Sequence, residues 1–176
     1  MRASAILVPF VALALTLSLT VDALADAPPP RSAQPDPASL EALSFLIGNW
    51  EASGAGEPGH SAGQFSFQWA AGHHAITRRN ESVSPNGRHE DAMLVYVSAG
   101  GGMRALYVDS EGHTIDYVGT VSDGLQRVVF ESGGTGPHYR LWYELKPDSS
   151  LATGFLIAPP GSSEFKSYLE GVAHSR

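Results

Sequence analysis

The sequence predicts an all-β fold: an antiparallel up-and-down β-barrel of about ten strands with a short N-terminal helix in front of it. Three observations carry this. All 19 Gly lie beyond residue 47, and with the prolines they punctuate the chain at intervals of strand length. Between those punctuation points the apolar residues recur with period two. No segment beyond Gly48 has the length and period of a crossover helix, so the strands must pair antiparallel. A two-sheet sandwich satisfies the same periodicity; closure into a barrel is the simpler way to leave no long strand edges. The chain carries no internal repeat of the kind that marks a propeller or solenoid.

The elements follow in order. Residues 1–25 read as a secretory signal peptide: Met1 and Arg2 give a positive start, 6–21 is an apolar run, and Ala23-Leu24-Ala25 is a small-x-small cleavage site. A retained anchor needs about 20 apolar residues, and this run is shorter. Residues 26–36 hold Pro28-Pro29-Pro30 and Pro35 with almost nothing to bury, and are expected to form a flexible Pro/Ala-rich linker. The barrel domain is expected over 37–176. Asp36 and Pro37 supply an N-cap and a first helical residue, Leu40, Leu43 and Ile47 with Leu46 beside them form one apolar stripe, and Gly48 ends the helix. Strands are expected at 49–55, 63–70, 73–83, 90–98, 103–109, 113–121, 125–132, 138–146, 150–157 and 164–174.

Composition excludes several functions. A net charge of -7, unchanged when Arg2 and Asp22 leave together with the signal, offers no basic field to nucleic acid or to an anionic membrane surface. Zero cysteine removes thiol nucleophiles, Cys-based zinc sites, iron–sulfur clusters and disulfides. Gly54-Ala55-Gly56-Glu57-Pro58-Gly59 matches G-x-G-x-x-G in letters only, since no helix follows to offer its N–H groups to a pyrophosphate. Of the seven His, His73 and His74 are adjacent on an expected strand and point apart, His113 and Asp116 diverge as well, and no H-E-x-x-H occurs, so no metal site is expected; a site assembled from distant strands is the less favoured alternative. Glu90 and Asp91 alternate faces, and no G-x-S-x-G is present. An enzyme is the less favoured reading.

Phe45-Leu46-Ile47-Gly48-Asn49-Trp50 places Gly-x-Trp at the start of the first strand behind a short helix. This is similar to the opening motif of lipocalins and related calycin barrels; it looks most like the lipocalin-like barrels of bacterial uncharacterised families and more distantly like nitrobindin-type haem barrels. The resemblance implies that Trp50 lies on the barrel floor, covered by a terminal arginine, here Arg176, in a cation–π contact of about 0.5–2 kcal/mol. Likeness to the haem barrels implies His174 as an iron ligand, although it stands closer to Arg176 than in that pattern; the plainer reading is a solvated histidine at the chain end.

On the second expected strand Phe65, Phe67 and Trp69 share the buried face. On the eighth, Arg140-x-Trp142 resembles the Arg-x-Tyr pair that holds a carboxylate in small lipid-binding calycins. An inward Arg140 clamps an anion; an outward one pairs with a neighbouring strand's glutamate, the commoner setting for a charged residue. Arg78 and Arg79 face opposite ways, so at most one of them can enter the interior. The expected function is an exported, secreted or periplasmic protein that holds a small, largely apolar or amphipathic molecule, with Phe67, Trp69, Arg140 and Trp142 as contacts and no stable membrane insertion after cleavage. The alternatives are a haem-binding or enzymatic barrel using His174 or an interior His, and a filled barrel acting through its loops.

Overall fold

The computed structural model describes residues 38–122 and 126–176. The expected signal peptide, linker and helix cap at Asp36 and Pro37 lie outside the described residues. Ten strands run β1 (Gly48–Gly56), β2 (Ser61–Ala70), β3 (Ala75–Ser84), β4 (Gly87–Val97), β5 (Met103–Asp109), β6 (Thr114–Val121), β7 (Arg127–Ser132), β8 (His138–Leu145), β9 (Leu151–Ala158) and β10 (Lys166–Ser175). Each pairs antiparallel with its sequence neighbour, and β1 pairs with β10 to close the barrel. Closure satisfies every edge, the reason for expecting a barrel from a ten-strand meander.

Where β10, β1, β2 and β3 lie side by side, glycines let neighbouring backbones approach closely. A Cβ on Gly63 would stand 2.2 Å from the Glu81 carbonyl oxygen and 2.7 Å from Ser82 Cα, so no larger residue fits between β2 and β3 there. A register shift between Ser167 and Leu169 bends β10 against β9.

The floor departs from expectation. In place of one helix reaching Ile47, a single α-helical turn, α1 (Ala38–Glu41), is followed by a 3-10 turn, η1 (Ser44–Leu46). The N–H groups of Leu43, Leu46 and Ile47 donate to carbonyls three residues back. Spacing explains it: Leu40, Leu43 and Leu46 recur at three, the period of a 3-10 path, and all three are fully buried, whereas Ile47 is not. They plug one end of the barrel against Trp50, Phe67, Ile76, Val95, Phe130 and Leu151. The Trp50 indole N–H donates to the Leu46 carbonyl at 2.8 Å and its buried ring stacks on Phe65, which ties the start of β1 to η1.

Two local expectations fail. His73 and His74 belong to the four-residue turn between β2 and β3, with positive φ at Ala71, Gly72 and His73, and not to a strand. Arg176 does not cover Trp50. Its backbone N–H bonds to the Asn49 carbonyl, and its guanidinium lies outside the barrel, 3.0 Å from Gln64 Oε1 and 3.4 Å from Glu51 Oε1. The alternation of β1 sends Glu51 outward when Trp50 is inward, and the terminal side chain follows the carboxylate.

Candidate functional site

The interior is packed at the plugged end and hollow at the other. The hollow part is a cavity of about 620 Å³, within the roughly 300–1,000 Å³ of small-molecule sites. Pro58, Asn86 and Glu111, from the connections after β1, β3 and β5, stand around it. One wall, on β8 and β9, is apolar and aromatic, built by Tyr139, Leu141 and Phe155, with Phe65 on β2 and Ile115 on β6 at the flanks. The opposite wall is polar, built by Arg78, Asn80, His89, Asp91, Tyr107 and Asp109.

The β3–β4 hairpin sets the polar wall. Its turn is two residues, Pro85 and Asn86, because Ser84 pairs with Gly87; the register then places Asn80 opposite Asp91 and Ser82 opposite His89. Alternation turns Arg78 inward and leaves Arg79 exposed, as their adjacency requires. Arg78 and Asp91 form an ion pair whose side chains are only 8% and 4% exposed. The second Asp91 oxygen accepts from Asn80 Nδ2 at 2.9 Å and lies 3.2 Å from His89 Nε2. Burial, the largest single influence, lowers the Arg78 pKa, but Asp91 together with Tyr143, Tyr107 and Tyr117 more than offsets it, and the guanidinium stays charged. The hydrogen bond to Asp91 likewise raises His89, against a smaller opposing effect of burial.

A second layer lies toward the mouth. Asp109 is the direct cross-strand partner of Asp91, an opposition of like charges that costs stability unless compensated. Its oxygens accept from the backbone N–H groups of Glu111 and His113, and the His113 ring is 2.9 Å away. Burial pushes Asp109 up, but the His113 N–H and ring with the Glu111 N–H bring it below the ordinary carboxylate value. His89 Nδ1 lies 2.8 Å from Glu111, and the Tyr107 hydroxyl stands between His89 Nε2 at 3.3 Å and Asp109 Oδ2 at 3.4 Å.

Among the described residues, three buried polar atoms at the cavity floor lack a partner: Arg78 Nε, Tyr117 OH and Tyr143 OH. Each unmet group of this kind costs about 1–3 kcal/mol, so water or a ligand atom is needed there. Burial raises both phenols, Tyr143 to about 12, and keeps them protonated as donors.

The residues singled out from sequence stand elsewhere. Phe67 is inward but sealed in the floor, edge-on to Tyr143. Trp69 lies below the cavity, its ring stacked on His73 with centroids 4.5 Å apart. Arg140 points outward and pairs with Glu131, with Phe165 under its guanidinium, so the solvent-facing alternative is the one observed. Trp142 is also on the outer face, flat over Gly154 and beneath Arg127. The inward face of β8 is that of Tyr139, Leu141 and Tyr143, which leaves Arg140 and Trp142 outside. His174 is exposed on β10 opposite Glu51, away from the cavity. Apart from Arg78, the polar wall escaped the sequence reading; its signal was the period-two placement of Arg78, Asn80, His89 and Asp91 on facing strands.

No protein-family model matches the chain, and no curated protein matches it. Solved structures do. The fold is similar to that of the S-type phycobiliprotein lyase from Guillardia theta, with a TM-score of 0.50 and 8% identity over 78% of this chain and 92% of that one. It is also similar to a de novo designed fluorescence-activating β-barrel, with a TM-score of 0.44 and 14% identity over 77% of this chain and 97% of that one. A structure of mFAP2b bound to DFHBI matches with a TM-score of 0.44 and 12% identity over 77% and 97% of the two chains. At these identities the likeness is one of fold.

Proposed function

We propose that this protein binds one small amphipathic molecule inside the barrel, as an exported, calycin-like carrier or receptor domain. The observation that carries this is the divided cavity of about 620 Å³, with aromatic and aliphatic side chains on one wall and a fixed hydrogen-bonding wall facing them. The apolar body of the ligand packs between Phe65, Leu141 and Phe155, and an acceptor group turns toward the floor, where Arg78, Tyr117 and Tyr143 have donors to spare. Export rests on the reading of residues 1–25 as a cleaved signal, and the calycin-like assignment on Gly48-Asn49-Trp50 together with the barrel.

The test is a titration of the purified protein with 1-anilinonaphthalene-8-sulfonate, with native mass spectrometry of the same sample for a co-purifying small molecule. Saturable one-site probe binding is expected, weakened at least tenfold by Ser82→Trp, which sets an indole into the cavity from β3. Equal probe binding by the two proteins would place the probe elsewhere and overturn the reading.

A further inference from the structure

We propose that the mouth of the barrel is a binding site for one divalent transition-metal ion of the zinc type, held by His89, Asp109 and Glu111. One ligand atom from each of these residues lies within 4.8 Å of the other two. No sequence motif announces the set, because it joins β4 to the far end of β5 and the turn that follows, elements brought together only by barrel pairing.

Three features favour an ion over a mere cluster of ion pairs. The first is the way His89 is held. Its Nε2 faces the buried Asp91, itself fixed by Arg78 and Asn80, while Nδ1 faces Glu111. A carboxylate that takes the N–H on one side of an imidazole fixes the tautomer and turns the other nitrogen's lone pair outward, the arrangement that supports metal-bound histidines. The second is charge. Asp91, Asp109 and Glu111 bring three carboxylates, and Arg78, committed to Asp91, is the permanent cation bonded within the group. Asp109 is nearly as buried as Asp91, its side chain only 6% exposed, and stands directly across the ladder from it. A divalent ion supplies the missing positive charge. The third is spacing. Metal–donor bonds of about 2.0–2.2 Å in a tetrahedral shell place neighbouring donors about 3.3–3.6 Å apart, and the three donors, within 4.8 Å of one another and with His89 and Glu111 at 2.8 Å, bracket that separation and reach it by small side-chain shifts. The His113 ring, 2.9 Å from Asp109, stands beside the site and completes a mixed imidazole–carboxylate surround.

The donor set selects the ion class. Imidazole nitrogen with carboxylate oxygen suits zinc, cobalt or nickel, whereas calcium and magnesium take all-oxygen shells. Three protein ligands leave a fourth position open, and all three residues line the cavity mouth. The site itself does not depend on the small-ligand reading: an empty barrel would still bind the ion.

The experiment uses untagged protein, stripped with EDTA and dialysed, titrated with zinc chloride by calorimetry and with cobalt(II) by visible absorption. One equivalent is expected to bind with micromolar or tighter affinity. His89→Gln and Glu111→Gln are each expected to weaken binding at least tenfold; Glu111 is exposed, so its variant keeps the fold. His73→Gln, in the turn between β2 and β3, is the control for adventitious surface histidines and is expected to bind as wild type. No saturable one-to-one binding, full affinity in both site variants, or loss of binding in His73→Gln would each overturn the proposal.

Discussion

Replacing Asp91 by alanine removes the acceptor on which the polar wall converges. Arg78 loses its counter-ion while 92% of its side chain is buried, and its Nε is already without a partner. Asn80 Nδ2 loses its 2.9 Å contact and His89 Nε2 its 3.2 Å contact. Breaking a buried ion pair from one side costs about 3–5 kcal/mol, because the remaining charge stays in a poor solvent. Two effects reduce the loss. The Phe65 and Tyr143 rings lie 5.6 and 5.9 Å from the guanidinium carbon, and the repulsion between Asp91 and Asp109 disappears. A net loss of about 3 kcal/mol, at about 2–4 °C per kcal/mol, lowers the midpoint of thermal unfolding by roughly 6–12 °C. Arg78→Met should cost less, since the stranded carboxylate keeps Asn80 and can share a proton with His89. The double variant Arg78→Met/Asp91→Ala should be more stable than Asp91→Ala alone, because an apolar pair in place of a buried ion pair is often neutral. Urea unfolding of the four proteins gives the coupling energy. Additivity within about 0.5 kcal/mol would refute the account, because it would mean that Arg78 does not depend on Asp91.

Gly63→Ala drives a methyl against the Glu81 carbonyl and Ser82 Cα and is expected to cost about 3 kcal/mol in urea unfolding, whereas Gly119→Ala meets only the flexible Met103 side chain and should cost under about 1 kcal/mol. Trp50→Phe removes the indole donor to Leu46 and should lower stability by about 1–3 kcal/mol, read as a shift of the denaturation midpoint. Arg140→Ala breaks an outward pair with Glu131 and should change stability by no more than about 1 kcal/mol and leave probe binding in the cavity unchanged; a loss of binding would mean that β8 faces the other way.

The barrel itself was legible because turn chemistry is local. Glu57-Pro58-Gly59, Pro85-Asn86-Gly87 and Pro159-Pro160-Gly161 end strands whatever surrounds them, and ten apolar runs between such breaks admit few arrangements. What local chemistry does not fix is where within a turn the ladder stops. The ladder extends past the expected boundary at Pro85-Asn86-Gly87, where Ser84 pairs directly with Gly87, and the fourth strand begins at Gly87 instead of residue 90. Between the expected and the observed start lies His89, which a strand beginning at residue 90 leaves in a loop and not on the cavity wall. At Ala71 to His74 the error ran the other way: four residues turn, three of them with positive φ, and two histidines assigned to a strand sit in the loop.

The choice between Arg78 and Arg140 shows what else was within reach. Alternation sorts each strand into two faces but does not say which face is inside when both carry polar residues. Directly paired residues of neighbouring strands do share a face, so one secure assignment passes from hairpin to hairpin. Phe67 is such an anchor: its strand partner across the β2–β3 turn is Arg78, and the partner of Arg78 across the next turn is Met93. A charged residue flanked on both sides by inward apolar residues has to be inward too, and must find its counter-ion on the same face, where Asp91 is two residues from Met93. Arg140 is flanked by Glu131 on one strand and Leu156 on the other, so an opposite charge stands directly across from it and solvent can reach the pair. A buried arginine is therefore recognised less by its own strand than by the apolar character of both cross-strand partners, and that criterion selects Arg78 and rejects Arg140.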